Sequence, residues 1–194
     1  MKKKVKKKDE IYNDSWMYTL LLTTLVILIE SLKNYTFKIS NTELTFAIFL
    51  MPLVYLLTNY ILKKYDYKKA ISAISLAGTY MIVFLVIMSF ALGERFNASS
   101  VVGDFCGYVA SQFVNLTIYS FLLNNTKQPV ILIYLNYIFS LIIFYMFYTI
   151  FYLEMVMVDG FWTGYFITLA IQLVICIPLA IVDKKIKRGR EIIK

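Results

Sequence analysis

Six runs of apolar residues separated by short polar connections leave this chain few ways to fold. They extend from Trp16 to Leu32, Leu44 to Leu62, Ala70 to Leu92, Phe105 to Leu123, Val130 to Leu153 and Phe161 to Val182. A helix rises about 1.5 Å per residue and a bilayer hydrocarbon core is about 30 Å thick, so each run can cross one, the first by drawing in a few residues toward Ile11. With 60% hydrophobic and 16% charged residues, the 194-residue chain carries more apolar surface than a soluble core of that size can hide. Backbone in hydrocarbon must satisfy its own hydrogen bonds, which a helix does within itself. The expected fold class is all-α, a polytopic membrane protein built as a six-transmembrane-helix bundle over residues 16–182, with basic tails at 1–15 and 183–194. The connections Lys33 to Glu43, Lys63 to Lys69, Gly93 to Asp104, Asn124 to Pro129 and Glu154 to Gly160 leave no room for an extramembrane domain.

The distribution of positive charge gives an orientation. Of the 20 Lys and Arg residues, the N-terminal tail, second connection, fourth connection and C-terminal tail hold six, four, one and six, or 17 on one side. The other side holds three: Lys33, Lys38 and Arg95. Such a bias places the richer side in the cytoplasm, so both termini are expected there and the protein in a plasma membrane, by expectation a bacterial inner membrane. An odd number of spans would scramble the alternation. The net charge of +8 lies in short runs beside apolar segments, where anionic headgroups of the lipid bilayer are the natural partner and nucleic acid is not. The Lys-rich start does not read as a cleaved signal, because the apolar stretch behind it is too long and no small-residue cleavage site follows.

The residue types also limit the chemistry. The chain has no histidine, and Cys106 and Cys176 both fall inside apolar runs without metal-ligand spacing, so no metal or cofactor is expected. Motifs for nucleophilic, metalloprotease or nucleotide chemistry are missing, and an enzyme is not the expectation. Neutral polar side chains instead recur at helical spacing. Tyr108, Gln112, Asn115 and Tyr119 share one face of the fourth run, Asn136 and Ser140 one face of the fifth, Thr168 and Gln172 one face of the sixth, and Tyr55, Thr58 and Asn59 cluster in the second. Amides in hydrocarbon need partners, so such faces point inward, either to join helices or to line a solvated cavity. Glu30 is the only carboxylate well inside an expected span, and it can serve a site or reach the interface near Lys33. Pro52 and Pro178 fall inside the second and sixth runs, where proline breaks or kinks a helix. Gly78, Gly103, Gly107 and Gly164 allow close helix approach.

Four stretches carry a resemblance to a known family: Phe49 to Tyr60 with the following Lys63 to Ala70, Gly107 to Tyr119, Tyr137 to Phe144, and Tyr165 to Thr168 with Ile177 and Pro178. In order and spacing the chain resembles the vitamin uptake transporters that include bacterial queuosine-precursor transporters. It departs from them in having Thr58 and Asn59, Gln112 with Asn115, and Ser140 where that family shows acids, and Thr168 where it shows a lysine. Joint loss of acids and base avoids unpaired buried charge. The resemblance implies a carrier that takes up a small neutral heterocycle of the 7-deazaguanine type by alternating access. The resemblance implies substrate-binding roles for Asn59, Gln112, Asn115, Ser140 and Thr168, to which the polar stripe adds Gln172 and the intramembrane position adds Glu30. Two alternatives stand beside it. One is a substrate-binding subunit of an energy-coupling-factor importer, which Trp16 to Leu32, lacking alanine, resembles less. The other is a non-transporting scaffold whose polar stripes only hold helices together. A homo-oligomer is left open.

Overall fold

The computed structural model describes residues 2–39, 42–91, 98–124, 129–151 and 161–186. Six long helices account for most of them: α1 (Lys2–Leu32), α2 (Met51–Lys64), α3 (Tyr67–Ala91), α4 (Ala98–Asn124), α5 (Val130–Phe151) and α6 (Phe161–Lys185). Six segments are long and apolar enough to cross a membrane: Asp14–Leu32, Phe46–Lys64, Tyr67–Ala91, Val101–Asn124, Val130–Ile150 and Trp162–Lys185. Successive helices alternate in direction, so one end of the bundle gathers Lys63, Lys64, Lys69 and Lys185 and the other gathers Lys33 and Lys38. Arg95, Lys127 and the expected connection Glu154 to Gly160 lie outside the described residues.

The first connection carries a short two-stranded hairpin within an otherwise helical fold. Strands β1 (Thr36–Ile39) and β2 (Thr42–Thr45) pair antiparallel with Phe37 opposite Leu44 and Lys38 opposite Glu43. Both strands are rich in Thr and β-branched or aromatic residues, which favour extended backbone. Lys38 and Glu43 form an exposed ion pair at 3.0 Å. Leu44, read from sequence as the start of the second span, is a buried strand residue instead. The hairpin rests on α6, where Thr42 would meet a Cβ on Gly164 at 3.1 Å.

The second span starts as a 3-10 turn, Phe46–Phe49, before α2 begins at Met51. Pro52 therefore sits in the first turn of α2, where its missing N–H costs nothing, and not in a helix interior as the run of apolar residues had suggested. Pro178 does lie inside α6. Asp66 starts α3 by accepting the Lys69 backbone N–H at 2.7 Å, an N-cap for the third helical residue. α6 continues past Val182 to Lys185, which brings Asp183 into the helix.

α2 is the central post of the bundle and touches all five other helices. Its Val54, Tyr55, Thr58, Asn59, Ile61, Leu62 and Lys63 are all buried. α4 and α5 pack closest to each other. A Cβ on Gly107 would meet the Phe144 carbonyl oxygen at 3.2 Å, so any side chain there would push the two backbones apart by a few tenths of an ångström. The outer surface is an apolar belt that includes Leu20, Ile87, Phe90, Phe113, Phe121, Phe166 and Val174.

Single cysteines at Lys38 and Lys68, both exposed, in a C106S/C176A background test the topology. An impermeant maleimide applied to intact cells should label the Lys38 position and spare the Lys68 position until the membrane is permeabilised. Labelling of both, or of Lys68 alone, overturns the six-span arrangement with its basic end inside.

Candidate functional site

The polar stripes of four helices meet inside the basic end of the bundle. On α2, Tyr55, Asn59 and Lys63 recur every four residues. On α4, Ser111, Asn115 and Tyr119 do the same, so each helix aims one polar stripe at the axis. α5 adds Asn136 and Tyr137. α6 adds Gln172, Cys176, Ala180 and Asp183, all buried, at steps of four, four and three.

Asp183 is the hub. Its Oδ1 lies 2.8 Å from Lys63 Nζ, with the two side chains 0% and 2% exposed. Tyr119 donates its hydroxyl to the same oxygen. On Oδ2 it accepts from Tyr137 at 2.6 Å and from Asn59 Nδ2 at 3.0 Å. Lys63 also donates to the Asp183 backbone carbonyl, and its ammonium stands 5.4 Å from the centre of the Tyr119 ring. Removing two charges from water is costly, and mutual attraction offsets that only when the remaining lone pairs are satisfied. Here two phenols and an amide satisfy them through charge-assisted bonds, the stronger kind.

An amide ladder leads away from the hub. Asn59 Oδ1 accepts from Asn115 Nδ2 at 2.9 Å, and Asn115 Oδ1 accepts from Asn136 Nδ2 at 2.7 Å. All three residues are 0% exposed. Ser140 is also buried, but its hydroxyl donates back to the Asn136 carbonyl on its own helix. Gln112 lies one turn from Asn115, buried, with no hydrogen bond on its Oε1. Gln172 donates Nε2 to the Ile48 carbonyl at 3.3 Å. That carbonyl sits four residues before Pro52, which has no N–H to offer it, so the proline and the glutamine belong to one arrangement. Thr168 is half-buried on α6 outside the ladder.

Glu30 lies at the other end. It is buried, and Lys33 joins it to Asp104 on α4, with Nζ 2.8 Å from each carboxylate. Burial alone would lower the Lys33 ammonium, but the Asp104 and Glu30 carboxylates outweigh it and hold the group above the usual lysine range.

One sequence expectation needs correcting. Glu30 is not the only intramembrane carboxylate, because Asp104 and Asp183 are buried in α4 and α6. Asp183 and Lys63 put one acid and one base at the polar centre of the bundle, at positions other than the substituted ones. Both had been counted as charges of a connection and a tail. The periodic signal was present: Lys63 is one turn beyond Asn59, and Asp183 is three turns beyond Gln172 on one face.

Searches against known protein families, characterised proteins and solved structures find no match to this chain. The site is therefore read from its own geometry.

Breaking the Lys63–Asp183 pair from one side leaves the partner charge buried and alone. Asp183→Leu and Lys63→Met should each cost about 3–5 kcal/mol. The double variant should recover a large part of that loss, read as thermal unfolding of the detergent-solubilised protein. Additive losses would show that the two charges do not act as a pair.

Proposed function

We propose that this chain is a membrane carrier that takes up a small uncharged solute by alternating access. One observation carries the reading: four membrane-length helices turn amides, phenols and an ion pair inward, and ion clusters stand at both ends of that polar interior. Helices need not bury this much polarity to associate in lipid, where close packing suffices. Intramembrane charges and amides are characteristic of solute and ion pathways. In this reading Lys63–Asp183 closes the cytoplasmic end, Lys33 with Glu30 and Asp104 closes the opposite end, and the two clusters open in turn. The stripes of α2, α4, α5 and α6 contact the solute between them. The sequence resemblance makes a 7-deazaguanine-type queuosine precursor the first solute to test.

The scaffold reading has its own support in the ladder, where Asn59 and Asn115 already satisfy each other. Gln112 separates the two, since its Oε1 holds no bond in the bundle. Gln112→Met, which keeps the buried volume, should lower uptake into proteoliposomes by up to about tenfold, the worth of one buried hydrogen bond, while leaving the unfolding temperature nearly unchanged. Uptake should also restore queuosine in the transfer RNA of a precursor-dependent bacterium lacking its own carrier. Membrane expression without rescue removes the deazapurine assignment, and no uptake of any solute by the reconstituted protein removes the carrier.

A further inference from the structure

Away from the polar interior, a groove of about 330 Å³ lies between α1 and α3 at the basic end. The two helices lie side by side and point the same way, so Ser15 and Lys69 stand level near the start of their spans. The seam stays open because the side chains facing it are short: Ser15 and Thr19 from α1, and Ser72, Ser75 and Thr79 from α3. Lys69 and Trp16 also line it. From Lys69 to Thr79 the helix axis advances about 15 Å, the depth of one leaflet in a hydrocarbon core of about 30 Å.

A hydroxyl turned toward hydrocarbon needs a partner for its proton. Within a helix that partner is commonly the carbonyl one turn back. Thr19 and Thr79 use it, each donating at 2.9 Å, to the Ser15 and Ser75 carbonyls. Ser72 and Ser75 do not. Neither hydroxyl has a hydrogen bond to a described residue, although both are exposed in the same groove. The groove thus presents two uncommitted donors close to an ammonium, and among the described residues no carboxylate lines it. The acids nearest in sequence face elsewhere: Asp66 accepts the Lys69 backbone N–H, and Asp14 lies 3.6 Å from Lys64.

We propose that this groove holds one anionic phospholipid from the leaflet at the basic end. Its phosphate meets Lys69 and the Ser72 hydroxyl, its ester oxygens accept from Ser75, and one acyl chain follows Leu76 and Thr79, whose proton already rests on its own helix. Trp16, 61% exposed, adds an indole N–H at headgroup level, where tryptophan is enriched. Basic pockets between spans hold anionic headgroups in this way. A free phosphate would meet Lys69 and Ser72 but leave the deeper half of the groove unfilled. A second copy of the chain would bring the apolar belt against the two serines and leave them without acceptors.

Native mass spectrometry of the purified full-length protein, titrated with phosphatidylglycerol or phosphatidylcholine of identical chains, tests the site. Phosphatidylglycerol should be retained about five- to tenfold more tightly. Lys69→Gln should remove about fivefold of that preference, the worth of one basic side chain at an anionic surface. Lys68→Gln makes the same charge change at an exposed lysine outside the groove and should leave the preference within about twofold. Ser72→Leu, which fills the groove from an exposed position, should lower phosphatidylglycerol retention by up to about tenfold. Equal retention of the two lipids, or equal losses from the two lysine variants, overturns the site in favour of diffuse attraction. Displacement of the lipid by millimolar inorganic phosphate assigns the groove to a free anion and overturns it too, as does a dimer that Ser72→Leu dissolves while lipid retention is unchanged. Trp162→Phe supplies a measurement that needs no change in the groove, because it leaves Trp16 as the one indole. In vesicles, brominated phosphatidylglycerol should quench Trp16 more strongly than brominated phosphatidylcholine at equal mole fraction. Equal quenching overturns the site.

Discussion

A carboxylate inside an apolar bundle must be surrounded by donors, and at Asp183 that requirement organises the structure. The donors come from α2, α4 and α5, so a single side chain of α6 ties four helices into one arrangement. Apolar packing in lipid is forgiving, because a helix surface finds a tail as acceptable as a neighbour. A buried ion with four donors is not, since each missing bond leaves a charge under-solvated where water cannot reach it. The amide ladder extends the constraint by fixing the direction of each successive bond. Asn136 on α5 is thereby oriented by a carboxylate it never touches.

The two ionic clusters differ in their balance of acid and base. At the basic end one acid meets one base, both nearly inaccessible. At the hairpin end Lys33 is shared by two acids, and its ammonium and the carboxylate oxygens facing it are buried although a quarter of its side chain is exposed.

Much of this was legible in the sequence, and the misses have physical causes. The six runs and the inward stripes follow from composition and the helical repeat. The hairpin escaped because Leu44 is apolar and joins a hydropathy window that ignores strand pairing. Lys63 and Asp183 escaped for a subtler reason. A charge at the edge of an apolar run is ordinarily solvated by headgroups, and the positive-inside count treats it so. Only the shared face of Lys63 with Asn59, and of Asp183 with Gln172, marked these two as inward. That test weighs direction around a helix, where hydropathy weighs only position along it.

Direction around the helix also bears on which parts of the bundle can move. Lys63 and Lys64 are consecutive, about 100° apart on α2. One points inward to Asp183. The other lies outward over the Tyr18, Tyr60 and Tyr65 rings, at 4.6, 5.6 and 5.6 Å from their centres, and 3.6 Å from Asp14. Rotating α2 in either sense would pull one ammonium from its carboxylate and the other from its aromatic cage together. A helix held on two faces, and in contact with every other helix, is a poor moving part. α6 is different: along its basic half its polar attachment is concentrated in Asp183, and Pro178 removes one of its own backbone bonds just before that residue. If the basic end opens, the economical motion is the last turns of α6 swinging away about Pro178 while α2 stays fixed. Such a motion would strip Asp183 from all its partners in one step and release the anchored end of the amide ladder with it.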